Sequence, residues 1–541
     1  MLWVERVKSF FRKGARALQR IGAETGIARE FKNIFEIGGV PSFNEFYDFG
    51  IFIWKLIYRG LYKPWHIIPA PTIANPHNKR EIYRMNAAKA VSAEMAGMVW
   101  GEECEINVTM DGRTDKESPD PLGAFIAEVL RNNAFGEKMQ ELTEQALALG
   151  GAALKVWHEA RHDASGAEIP GTGEIRLGYC MADQFVPTAW NNAKVTEGVF
   201  ISRIAKGGYY YTRLEWHQWD GLTYIVTNEL YRSEQKKEDN TESQDILGVR
   251  WPLSDIYPFL DERTEIPVEE SLFSYFRTPI ANNLDDNSPL GMSIYGNALE
   301  TLHALDICYD SFVREFRLGK KRIIVPARAV RMVVNPDTGE QCRYFDPSDE
   351  TYEALQSDDP NDLKISDNSV ALRVEEHVAA LNAFLSILCL QIGFSANTFG
   401  FDEHGGMMTA TQVVSTNSKT YKTVKTVQNQ LRPAIEHMIR NIIDVAILYD
   451  MDWEGQSIES LAAGGYHVNI VFDDGITQDR QTNINEGITL VKAGLLSKKK
   501  FMTDPKYGQG LTDEEAEEEM ERIKNQGPVG GETVIKENTA E

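Results

Sequence analysis

Cysteine is scarce in this chain. The five cysteines among 541 residues, Cys104, Cys180, Cys308, Cys342 and Cys389, are scattered and form no C-x-x-C pair. Their odd number and spacing argue against a disulfide framework or a cysteine zinc site and fit assembly in a reducing cytosol. Positive charge is in the minority, with Lys+Arg at 56, Asp+Glu at 80 and a formal charge of −24. That balance disfavours a protein that grips nucleic acid through a broadly basic face, but not one that lets DNA slide past. Long apolar runs are also missing. The stretch from Phe49 to Tyr58 is interrupted by Lys55 and falls short of the ~20 residues a membrane span requires. Nucleotide-hydrolysis signatures are absent: there is no G-x-x-x-x-G-K-[ST] loop and no G-x-G-x-x-G between strand and helix. A G-x-S-x-G nucleophile elbow is missing too.

What remains is ordinary globular material, 42% hydrophobic and 25% charged. At ~150 residues per domain, three or four domains are expected. The N-terminus interleaves Arg6, Lys8, Arg12, Lys13, Arg16 and Arg20 with Trp3, Val7, Phe10, Phe11 and Leu18. No uninterrupted apolar core follows, so a signal peptide is disfavoured. Such an arm suits a lipid surface, DNA, or plain packing with solvated cations.

Hydrophobic spacing divides the chain. Arg80–Trp100 reads as a helix through Ile82, Met85, Ala88, Val91, Met95 and Val99. Pro121–Gly150 reads as two helices. The runs Ala152–Glu159, Glu174–Cys180, Gly198–Ile204, Tyr209–Gln218 and Thr223–Tyr231 read as strands, and Arg232–Asp245 as a charged loop. A long helix is predicted from Ser288 as N-cap, with Pro289 first and Gly319 as its C-terminal cap. It would be ~45 Å long at 1.5 Å per residue. It carries an apolar stripe from Leu299 to Phe316 and an acidic side of Glu300, Asp306 and Asp310. A compact insertion, Lys320–Arg373, carries a strand at Arg322–Pro326 and turn chemistry at Asn335–Gly339. A second long helix over Val374–Ile392 repeats Val378, Leu381, Leu385, Leu388 and Ile392 in a heptad-like seam. After a loop, a third helix over Thr409–Tyr449 contains Pro433, where a kink is expected. Its first half is rich in Ser and Thr, unusual for a helix with no special task. A strand at His467–Phe472, a helix at Asp479–Leu496 and an acidic helix at Thr512–Lys524 complete the reading, and the tail from Gln526 lacks an apolar face.

One catalytic pattern occurs. His158-Glu159-Ala160-Arg161-His162 matches H-E-x-x-H, in which histidines four apart on a helix share a zinc ion. The preceding residues read as a strand, where positions four apart are separated by ~13 Å. Hairpin residues are therefore the reading, and a zinc hydrolase using His158 and His162 the alternative. A structural or membrane-associated helical oligomer unrelated to DNA is the other alternative. The cluster Lys320-Lys321-Arg322, opening the insertion, is either a solvated turn or a patch facing DNA or a partner.

The order of long helix, insertion, long helix, loop and kinked helix resembles the portal proteins of tailed bacteriophages, those of siphophages of Gram-positive hosts. The residues that carry the resemblance are Arg314-Glu315-Phe316-Arg317-Leu318-Gly319-Lys320-Lys321-Arg322-Ile323-Ile324-Val325-Pro326, Tyr344-Phe345-Asp346-Pro347, Arg373-Val374-Glu375-Glu376-His377 and Asn397-Thr398-Phe399-Gly400. The run TATQVVSTNSKTYKTVKTVQNQ from Thr409 to Gln430 is the most telling. The likeness extends from about residue 40 to 525 and rests on the order of these segments.

The resemblance implies an α+β, mostly helical portal fold. It implies a basic arm at 1–39, a wing at 40–287, stem helices at 288–319 and 374–393, and a clip at 320–373. A tunnel loop at 394–408, a kinked helix and wing strand at 409–478, a crown at 479–525 and a disordered tail at 526–541 follow. It also implies a non-enzymatic ring, typically of twelve copies, at one capsid vertex of a virion assembled in the host cytoplasm, with no cofactor or metal. Double-stranded DNA would pass its channel. The terminase large subunit, major capsid and scaffolding proteins and a head-completion adaptor would be its partners. Arg314, Arg317, Lys320, Lys321 and Arg322 become candidates for DNA or terminase contact. Asn397, Phe399, Phe401, Asp402, Glu403 and His404 become tunnel-loop candidates.

Overall fold

The computed structural model describes residues 45–71, 75–101, 104–111, 120–160, 173–192, 194–234, 247–284, 288–318, 323–324, 331–334, 339, 341–344, 366–367, 371–396, 398–399, 417–472, 480–503, 507, 516 and 519–522. The expected N-terminal arm, the loop residues 235–246, most of the acidic C-terminal helix and the tail lie outside these. Among the described residues helix and strand are mixed, and no helix is long and apolar enough to cross a membrane.

The apolar stretch interrupted by Lys55 forms α1 (Glu45–Tyr58), whose Ile53 and Trp54 are fully buried. Lys55 is buried as well, and its ammonium is paired with Asp183. A short α2 (Lys63–His66) leads into a hairpin of β1 (Ile67–Pro69) and β2 (Lys79–Glu81). The helix expected from Arg80 begins only at Ala87, as α3 (Ala87–Val99), because residues 79–81 pair with β1 and Asn86 adopts φ +55. After β3 (Glu105–Met110) come α4 (Pro121–Asn132) and α5 (Phe135–Leu149), the two helices expected there. Asp120 starts α4 by accepting the N–H groups of Leu122 (3.0 Å) and Gly123 (3.1 Å), while Pro121 needs no N–H partner.

The β-rich middle builds two sheets. β4 (Gly151–Glu159) lies between β5 (Glu174–Met181) and β12 (Phe273–Arg277). The six-stranded sheet contains β6 (Phe185–Asn191), β7 (Lys194–Lys206), β8 (Tyr209–Asp220), β9 (Thr223–Glu234) and β10 (Val249–Trp251) in antiparallel order, with β11 (Arg263–Ile266) also on β9. Gly207 and Gly208, with φ +61 and +81, make the tight β7–β8 turn. Arg232, expected in a loop, lies within β9, held by pairing to Val249. The sheets meet at a buried ionic knot. Glu215 on β8 receives Lys155 of β4 at 2.6 Å, Arg213 at 2.5 Å and His217 at 2.9 Å. Burial alone would raise the Glu215 carboxyl, yet Lys155, the His217 hydrogen bond and Arg213 hold it well below the usual carboxylate range.

The first long helix is shorter than expected. α6 spans Leu299–Leu318, and Ser288–Ala298 is not helical. That segment threads the core instead. Ile294 donates its N–H to Leu147 at the end of α5, and Thr278 Oγ1 lies 3.1 Å from the Gly150 carbonyl and 2.7 Å from that of Met292. Beyond α6, β13 (Ile323–Ile324) pairs with β16 (Ser366–Asp367), and β14 (Arg331–Val334) with β15 (Gln341–Tyr344), so the insertion returns to where it left. α7 spans Val374–Ile392, as the seam predicts. α8 runs from Ser418 to Leu448 with Pro433 inside it; the expected first residues of this helix, 409–416, lie outside the described residues. The short pair β17 (Asp452–Trp453) and β18 (Gln456–Ser457) precedes α9 (Ile458–Ala462). The strand expected near His467 is β19 (Tyr466–Val471), which pairs with β3 in full register. α10 (Arg480–Lys492) and α11 (Lys498–Thr503) follow.

Candidate functional site: the paired helices and their basic ends

α6 and α7 pack side by side and share one core. Leu299, Leu302 and Leu305 of α6 are buried, as are Leu381, Leu385, Leu388 and Ile392 of α7. Each buried leucine contributes roughly 1.5–3 kcal/mol. The seam predicted from sequence is therefore an internal contact of the chain.

The acidic side of α6 does not face solvent. Asp306 lies 3.0 Å from His66 Nε2 and accepts the Met85 N–H at 2.8 Å. Asp310 receives both prongs of Arg80, at 2.9 and 2.5 Å, and the Tyr83 N–H at 3.2 Å. Burial would raise the Asp310 carboxyl, but the Arg80 fork, the Tyr83 N–H and the Arg314 charge keep it below its ordinary value. The expectation of a free acidic stripe is corrected: two of its three residues clamp the β1–β2 hairpin to the helix. Only Glu300 is exposed.

The ends that flank the insertion are tied together. Arg373, immediately before α7, donates from Nε at 3.2 Å and from a terminal nitrogen at 2.9 Å to Glu315 on α6. These bonds hold the Glu315 carboxyl below its usual value. Of the five basic candidates, Arg314 and Arg317 are exposed on the last turns of α6. Arg317 donates to the Tyr83 hydroxyl at 3.0 Å. Lys320, Lys321 and Arg322 lie outside the described residues. So do Asn397, Phe401, Asp402, Glu403 and His404. Phe399 is described: it is half-buried, its ring 5.2 Å from that of Phe394.

The chain after α7 is fastened to α8 by threonines. The Thr420 hydroxyl accepts the Ser395 N–H at 2.9 Å, and Thr423 donates to the Gly393 carbonyl at 2.7 Å. Part of the unusual Thr content of α8 is thereby explained.

His158 and Glu159 stand at the end of strand β4, as the hairpin reading holds. The His158 ring stacks on Tyr449 with centroids 3.9 Å apart, and Glu159 receives Arg176 at 2.6 Å. His162 is outside the described residues. The clamps at Asp306, Asp310 and Glu315 were not read from the sequence. Arg373 and Glu315 carried a faint signal, since one ends the insertion and the other lies on the helix that leads into it.

Two helices bracketing an insertion and joined to a mixed sheet domain are the arrangement that the portal resemblance implies. The model of phage portal proteins described as SPP1 Gp6-like matches residues 58–527, and the chain belongs to that family. No curated relative matches the sequence. Among solved structures, the chain is similar to one in the neck of an empty GTA particle computed with C6 symmetry, at 12% identity and a TM-score of 0.37, covering 77% of this chain and 89% of that one. It is similar also to one in the virion of a native gene transfer agent particle, at 10% identity and a TM-score of 0.33, covering 77% and 87%. A third, in the neck of a native GTA particle computed with C12 symmetry, shares 11% identity with a TM-score of 0.31, covering 76% and 86%.

Proposed function

We propose that this portal protein assembles into a closed ring of twelve copies at one capsid vertex. Double-stranded DNA enters and leaves through its channel. In this reading α6 and α7 form the stem, the insertion 320–373 the clip, the sheet domain with β19 the wing, and α10 with α11 part of the crown. The terminase large subunit and a head-completion adaptor dock on the ring, capsid and scaffolding proteins surround it, assembly takes place in the host cytoplasm, and the chain itself performs no catalysis.

The observation that supports the ring is the outward face of the helix pair. Away from the shared core, Ile307 of α6 is 47% exposed, and Ile387 and Leu390 of α7 are 45% and 69% exposed. Apolar side chains on two adjacent helices suit burial against a neighbouring copy, and heterologous contacts that close make rings. Native mass spectrometry of the full chain tests this. The expected species has twelve times the 61.0 kDa chain mass. A monomer at every concentration and salt would overturn it.

A further inference from the structure

We infer that the exposed face of the first half of α8 is a contact rail for the phosphate backbone of duplex DNA. The observation begins in the sequence. About one residue in seven is acidic, yet none occurs between Glu403 and Glu436, a span that carries Lys419, Lys422, Lys425 and Arg432. The structure turns most of this span into one helix with two unlike faces. Thr420, Val424, Val427 and Leu431 are buried. Ser418, Lys422, Lys425 and Asn429, spaced four, three and four apart, are exposed, with Lys419, Thr426 and Gln430 beside them.

The chemistry of that face selects its partner. It presents cations and uncharged hydrogen-bonding groups, and no large apolar side chain is exposed on it. Interfaces between proteins are depleted in Lys and built around apolar and aromatic anchors. Contacts to phosphate are made by Lys together with Ser, Thr, Asn and Gln. Lys422 and Lys425 are ~4.5 Å apart along the helix axis, comparable with the roughly 3.4 Å advance per phosphate of one DNA strand. Lys422 has no ion pair among the described residues. Lys419 is partly committed elsewhere, since its ammonium donates to the Leu390 carbonyl at 3.0 Å and so ties the start of the rail to the end of α7. A few such contacts per chain, none reading a base, guide a duplex without holding it. This inference rests on the proposed DNA channel and adds a surface to it distinct from the α6 basic end.

The test uses the full-length chain with Lys422→Gln and Lys425→Gln together, Lys419 being left in place. Binding of two short fluorescent duplexes of unrelated sequence is measured from about 50 to about 200 mM salt. The double variant should bind both more weakly, with a log–log salt slope shallower by ~0.9 for each phosphate that is no longer neutralised. Lys422→Arg with Lys425→Arg should keep the slope. Native mass spectrometry on the same samples reads the ring. An unchanged slope in intact rings, a wild-type chain that binds neither duplex at the lowest salt, or an arginine variant that fails like the glutamine one would each overturn the rail. Loss of the ring in the glutamine variant would make the face a subunit contact and overturn it too. A wild-type chain that forms no ring but keeps the lysine-dependent slope would instead count against the portal ring.

Discussion

Arg80 and Asp310 form a two-pronged ion pair, 2.9 and 2.5 Å, between a short hairpin and a helix more than two hundred residues further along the chain. The pair sets one side of α6 against the hairpin. Replacing Asp310 with Ala leaves the Arg80 guanidinium and the Tyr83 N–H without their acceptor, at a cost of about 1–3 kcal/mol. The Asp310 carboxyl is held below its ordinary value of 3.8. Its stabilising contribution is therefore present above that value and is lost as pH falls through the lower folded-state value. Urea unfolding should show a gap between wild type and Asp310→Ala at neutral pH that narrows in strong acid. A gap independent of pH would refute the assignment.

Leu385 and Leu390 lie little more than a turn apart on α7 and should behave oppositely. Leu385 is 4% exposed, so Leu385→Asp buries a charge without a partner and should destabilise the chain by more than about 4 kcal/mol. Leu390→Asp should leave the stability of the single chain within about 0.5 kcal/mol and abolish the ring. Chemical denaturation and native mass spectrometry read the two effects separately.

Gly150 and Gly291 touch through their backbones. A Cβ at either would run into the carbonyl oxygen of the other, and Gly150 also has φ +97. Backbone cannot retreat as a flexible side chain can. Gly291→Ala should cost about 2 kcal/mol or more, seen as a lowered thermal midpoint.

Changing Lys320, Lys321 and Arg322 together to Ser should reduce the DNA packaged per particle while rings persist. The expectation follows from Arg314 and Arg317, which are exposed just before them on α6 and would place a cationic collar in a ring. Normal packaging by the triple variant would reduce the cluster to a solvated turn.

Local pattern carried the elements whose partners repeat along the helix or strand. The seam of α7 was legible because leucines three and four apart must share a face. The strands around Leu154 and Leu214 were legible from composition and turns. The start of α6 was not, although Ser288 and Pro289 have good capping chemistry. Ile294 gives its N–H to Leu147, and no local pattern announces that exchange. The roles of Asp306 and Asp310 were hidden for the same reason, since His66 and Arg80 are distant in sequence. The outward leucine of α7 was hidden by its own neighbours: Leu388 and Leu390 look alike in sequence, and only the helix turn separates core from surface.

The pairing of β3 with β19 also sets a clock. Glu105–Met110 is synthesised early, but its partner Tyr466–Val471 follows roughly 360 residues later, or ~20–70 s at the pace of ribosomal elongation. Throughout that interval the hydrogen-bonding edge that β19 will cover stands open, a template for the wrong strand. The domain that holds β3 cannot be sealed until nearly the whole chain has left the ribosome. Where many copies are made at once, premature pairing between nascent chains at this edge would compete with the native pairing, and completion of β19 is the event that ends that competition.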